Sequence, residues 1–117
     1  MLVPLGKTEL KFPLQIVDEN GQPVAPSSTP TVKNVRKNGA DASESTVTIA
    51  QAQDATPANI TGLYDVTVKL TGASSLGASV NDDIAITFEF SYDGSTGTAV
   101  KSFTMAKLGG SGVSARL

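Results

Sequence analysis

The chain has no histidine, no cysteine and no tryptophan among its 117 residues, and each absence removes a class of function. Without histidine it lacks the commonest general base; without cysteine it lacks the thiol nucleophile, and without both it lacks the commonest zinc ligands. The missing cysteines also exclude disulfides, so the redox compartment is left open. Neither Gly-x-Ser-x-Gly nor Ser-x-x-Lys occurs, which removes two signatures of serine nucleophiles. The sequence points away from an enzyme and calls for no cofactor. Charge is thin as well: the net charge is −2, with 17% charged residues. Binding driven by phosphate contacts needs clustered Lys and Arg, so nucleic acid is not an expected partner. No window approaches the apolar length of a membrane span, so a membrane is not expected either. Met1–Lys7 lacks both a basic n-region and a long apolar h-region and does not read as a secretory signal. Aromatics are few, four Phe and two Tyr, so the core must be built mainly from Val, Ile, Leu and Ala.

What is present is period-2 patterning. In Ile84–Tyr92 the residues Ile84, Ile86, Phe88, Phe90 and Tyr92 share one face, and Ala85, Thr87, Glu89 and Ser91 share the other. Only an extended chain separates side chains in this way, because successive Cβ atoms point to opposite sides of the pleat. Leu63–Thr71 repeats the pattern, with Tyr64, Val66, Val68 and Leu70 inward. Leu10–Val17 does so with Leu10, Phe12, Leu14 and Ile16 inward; Pro13, which has no N–H, marks it as an edge strand or a bulge. Thr31–Arg36 and Thr46–Ala50 are shorter strands, and Lys37-Asn38-Gly39 is a type I′ hairpin signal. Gln51–Ile60 is expected to cross between sheets, Gly72–Val80 to be a small-residue loop, and Asp93–Gly97 to be a turn. In Thr98–Leu108 the faces conflict: Phe103 and Met105 align with Lys101 while Val100 and Ala106 oppose them, which suggests a bulge. Six or seven strands without a helix indicate an all-β, antiparallel two-sheet sandwich of immunoglobulin-like topology. The expected organisation is an apolar arm over residues 1–7, a sandwich over 8–108 and a flexible Gly-rich tail over 109–117.

Few residues stand out as sites. Asp82-Asp83 and Asp93 flank the strand at 84–92, so roughly 30 Å of extended chain keeps them from sharing an ion. Asp18-Glu19-Asn20-Gly21 lacks the spacing and closing Glu of a Ca²⁺ loop and reads as a turn. Asn59-Ile60-Thr61 matches a glycosylation acceptor with no secretion signal beside it. Lys33, Arg36 and Lys37 form a small basic cluster near a hairpin tip, suited to an acidic partner. The two ends carry the main expectation of contact: Leu2, Val3 and Leu5 in the arm, and Val113, Arg116 and Leu117 in the tail.

Leu14–Val24, with its Asp18-Glu19-Asn20-Gly21-Gln22-Pro23 turn, leads on to Thr29-Pro30-Thr31-Val32. Further along stand Gly62-Leu63-Tyr64-Asp65-Val66-Thr67-Val68 and Asp82-Asp83-Ile84-Ala85-Ile86. Together these segments resemble the small β-sandwich modules of tailed-bacteriophage virion proteins, in which a strand ends in a D-x-x-G-x-P turn and a G-x-Y-x-V-x-V strand follows. The resemblance spans residues 10–108 and brings no catalytic residues. It implies a structural virion protein, above all a capsid decoration (cement) subunit. Such a subunit contacts the major capsid protein and copies of itself, often as a trimer, on a virion assembled in the cytoplasm of the bacterial host. A tail or collar accessory protein and an adhesin-type surface-binding module are the alternatives. For the adhesin, the two Tyr on core faces and the missing Trp leave little aromatic surface for a sugar.

Overall fold

The computed structural model describes residues 2–4 and 9–106. These form eight strands: β1 (Leu2–Pro4), β2 (Glu9–Gln15), β3 (Thr31–Lys37), β4 (Ala40–Ala42), β5 (Val47–Gln53), β6 (Asn59–Lys69), β7 (Asp83–Tyr92) and β8 (Ser95–Ala106). A 3₁₀ turn at Glu44–Thr46 is the one helical element among the described residues. Two sheets result, in the orders β1-β8-β7-β3-β4 and β2-β6-β5. The orders β2-β6-β5 and β8-β7-β3 are the B-E-D and G-F-C arrangements of an immunoglobulin-like sandwich. Six strands have seven or more residues; β1 and β4 are three-residue additions at the two edges of the larger sheet. Every neighbouring pair is antiparallel except β1, which runs parallel to β8.

Inward positions of both sheets meet in one core. Val66 and Val68 from the smaller sheet, Leu70 just after β6, and Val35, Ile84, Ile86, Phe88, Phe103 and Met105 from the larger sheet are each no more than 2% exposed. Phe12 closes on Phe88 edge to face, with ring centroids 6.1 Å apart and planes at 73°. This is the favoured geometry for aromatic quadrupoles. Pro13 lies on β2, an edge strand as expected, and is exposed.

Several expectations change. Residues 54–58 do not cross between sheets. They close a hairpin joining β5 to β6 within the smaller sheet, with Gln53 opposite Asn59. Asp54 organises the turn: its carboxylate accepts from the backbone N–H groups of Thr56 and Ala58 and from the Thr56 hydroxyl. The crossing falls earlier, between β4 and β5, through the 3₁₀ turn. The turn after β7 is tighter than the five residues expected. Asp93 and Gly94, at φ 50° and 77°, make a two-residue connection like Asn38-Gly39 at 53° and 80°, so Tyr92 pairs directly with Ser95.

The conflict of faces in β8 needs no bulge, because the β7–β8 register is continuous from Asp83↔Thr104 to Tyr92↔Ser95. Lys101 stays on the inner face by laying its stem along the sandwich margin, with Nζ 5.4 Å from the Phe12 ring centroid. Val100 then faces solvent, 64% exposed. A bulge occurs in β3 instead. The register shifts between Val32 and Asn34, so Val32 packs on the core three residues before the buried Val35. The loop at 72–80 also contributes to the core. Leu76 and Ala78 are buried there, pinned by backbone bonds of 3.0 and 2.9 Å to Lys69 and Leu70.

Candidate functional site

The acidic residues before β7 act as a structural clasp. Asn38, in the β3–β4 turn, donates from its amide to Asp82 Oδ1 at 2.8 Å, and its amide oxygen accepts the Asp83 N–H at 2.8 Å. Asp82 Oδ2 accepts the Ser79 N–H at 2.8 Å, and Asp83 Oδ1 accepts the Thr104 hydroxyl at 2.6 Å. The Asn38 amide, then the Ser79 N–H and the nearby Lys37 charge, hold the Asp82 carboxyl below its ordinary range. These donors tie the β3–β4 turn, the 72–80 loop and β8 to the start of β7. Among the described residues no cluster of three or more acidic side chains is arranged to hold a metal ion. Asp18 reads as the turn residue expected, its Oδ1 accepting from Asn20 and Gln22 at 2.9 and 3.0 Å. Asn59 opens β6, where its side-chain oxygen accepts from Gln53 Nε2 at 3.2 Å.

The basic cluster is divided rather than gathered. Lys33 lies 3.9 Å from Glu89, and Arg36 lies 3.8 Å from Asp41 across the β3–β4 pair. Both pairs are well exposed and worth little individually. Lys37 turns toward the end of the sandwich and donates to the Leu76 carbonyl at 3.0 Å. The single step from Arg36 to Lys37 along a strand reverses the face, and the bulge at Lys33 breaks the alternation again. Three cations close in sequence therefore serve three different neighbours.

Of the arm, Leu2 and Val3 lie in β1, opposite Thr104 and Met105 of β8. Leu5, Val113, Arg116 and Leu117 lie outside the described residues. The parallel pairing was not expected from the sequence. β8 is the last strand of its sheet without β1, and its free backbone groups accept a short strand in either direction.

A surface the sequence reading missed lies at the opposite end of β8, between the turn at 17–20 and the β7–β8 hairpin. It is a cleft of about 450 Å³ whose walls include Val17, Asp18, Glu19, Phe90, Tyr92 and Asp93. Phe90 packs on its cross-strand partner Gly97, where a Cβ would come within 2.6 Å of the ring. Tyr92, assigned to the core by alternation, is 41% exposed, and Val17 is 45% exposed. The inward face of β7 is fully covered only as far as Phe88. Proximity to the Asp93-Gly94 turn was the signal that Tyr92 would outrun the core. An aromatic face beside carboxylates and hydroxyls can stack on an apolar ring while accepting hydrogen bonds from its polar substituents.

Comparison of the chain with known protein families, characterised proteins and solved structures returned no match.

Proposed function

We propose that this chain is a structural virion protein, a capsid decoration subunit that stabilises a phage head by binding major capsid subunits and its own copies. The observation that carries the reading is β1, three residues added to the edge of a sandwich that is complete without them. Such an arm holds by backbone pairing and can take part in contacts between subunits without dismantling the core. Each contact would bury apolar area at about 25 cal/mol per Å², and many copies on one shell multiply a modest single-site affinity. Low charge density and an aromatic complement spent mostly on packing are consistent with a scaffold of this kind. A tail or collar accessory role uses the same surfaces at lower copy number. Removing Met1–Lys7 is expected to leave a folded sandwich that no longer decorates heads in a sedimentation assay. Normal occupancy by the truncated protein would refute the arm as the contact.

The exposure of Tyr92 favours a second reading, an adhesin-type module that binds carbohydrate in the cleft at 17–20 and 92–97. A glycan array of the isolated protein should then give reproducible hits that Tyr92→Ala abolishes; a blank array rejects it.

A further inference from the structure

We infer that β5 is a self-pairing edge, through which two copies of this chain join antiparallel into one continuous six-stranded sheet. Among the described residues the sandwich has four strand edges, and three are blunted in the ways that prevent pairing. β2 carries Pro13 within its seven residues, with Lys11 two residues before it and Glu9 at its start. β4 is three residues long with Asp41 in the middle, and β1 is three residues long and ends in Pro4. β5 is different. Its sequence Val-Thr-Ile-Ala-Gln-Ala-Gln holds no charge and no proline over seven residues, and among the described residues β6 is its single neighbour.

Val47–Gln51 keeps regular register with β6 before the shift between Gln51 and Gln53. Gln51 stitches that irregularity to β6 by donating to the Ile60 and Leu63 carbonyls at 2.9 and 3.1 Å. The regular stretch is thereby tied to β6 up to its end. In such a strand half the N–H and C=O groups point away from the neighbour. Among the described residues, those of Thr48–Gln51 have no backbone partner on that outer side.

A second copy is the occupant that fits. Antiparallel pairing about a two-fold axis at Ile49 sets Val47 against Gln51 and Thr48 against Ala50. Every opposed pair is uncharged, so no buried charge or like-charge conflict arises on either side. Thr48 and Ala50 are exposed on the outer face, small enough to leave the backbones free to approach. An isologous two-fold contact also closes on itself and stops at two, which separates it from the three-fold arrangement suggested by the family resemblance. Only about five residues pair on each side, so the dimer is weak in solution and gains strength when copies are held together. The edge chemistry of β5 is the same whether or not the chain is a virion protein.

Sedimentation equilibrium of the full chain across the micromolar range tests it. The wild-type protein is expected to show a monomer–dimer equilibrium. The double variant T48K/A50K sets Lys against Lys twice across the junction and is expected to dimerise at least about tenfold more weakly. Both positions are exposed, so its thermal unfolding should match that of wild type. Lys11→Glu on β2 should leave the dimer unchanged. A wild-type protein that stays monomeric throughout overturns the proposal. So does a T48K/A50K variant that dimerises as wild type does, or open-ended assembly beyond two.

Discussion

Gly62 stands in β6 at φ 71°, where a Cβ would sit 2.6 Å from the Val24 carbonyl oxygen and 2.7 Å from that of Ile16. Both the backbone conformation and the space exclude a side chain. The chain returning from the 18–23 turn crosses β6 at this point, with Ile16 N–H bonded to the Gly62 carbonyl at 2.7 Å and Val24 N–H to the Ile16 carbonyl at 3.1 Å. Gly62→Ala is expected to destabilise the fold by at least about 1–2 kcal/mol from the left-handed backbone alone, with the clash adding to it. Chemical denaturation reads this directly, and an unchanged midpoint would remove the close approach as the reason for glycine here. In the sequence, Gly62 was visible only as the first residue of a recurring strand pattern. The two carbonyl oxygens that require it come from residues 38 and 46 positions earlier in the chain, so no local reading could supply them.

Elements were legible to the extent that they are locally determined. The inward faces of β2 and β6 follow alternation residue by residue, and Asn38-Gly39 forms the turn its chemistry demands. Alternation fails where another element intervenes. Tyr92 continues the β7 pattern but has no facing sheet above it, and Lys101 keeps its place on the inner face because the Phe12 ring receives it. Residues 54–58 look like a crossing because they are polar and contain proline, yet Asp54 folds them into a hairpin loop. Its carboxyl is held below the ordinary 3.8 by the Thr56 hydroxyl first, then by the Ala58 and Thr56 N–H groups. Asp82 is held low in the same sense by Asn38 and Ser79. A carboxyl whose pKa is lower in the folded state stabilises the protein fully above the unfolded value, and the contribution disappears as pH falls through the lower folded value. Melting temperature should therefore drop as pH falls below about 4, and Asp82→Asn should be less stable than wild type at neutral pH with a shallower acid slope. Parallel slopes for the two proteins would dissociate the clasp from acid sensitivity.

At the scale of the whole molecule, one core spans both sheets, and the proposed contacts use strand edges: β1 beside β8, and β5, whose Val47 and Ile49 pack against the core from its margin. The buried cluster draws on β2, β3, β6, β7 and β8 together with Leu76 and Ala78 from the loop, while β1 adds only three residue pairs at the margin. Because β1 pairs with β8 alone, loss of Met1–Lys7 is expected to leave cooperative unfolding intact and, under the proposed function, to abolish head binding. It also separates the arm from β5, whose pairing would draw on an edge of the smaller sheet.

The sequence by itself determined the class of fold, because period-2 burial and left-handed turn residues are properties of a few neighbours in the chain. It also determined which side-chain chemistries are missing, those of histidine, cysteine and tryptophan, since absent residue types cannot be restored by folding. Only the tertiary structure decided which strands share a sheet, which edges are blunted, that the basic residues separate and that Tyr92 reaches the surface. Each of these depends on what lies across a gap from a residue rather than beside it. Such distances are decided by sheet order and by where one sheet ends over the other.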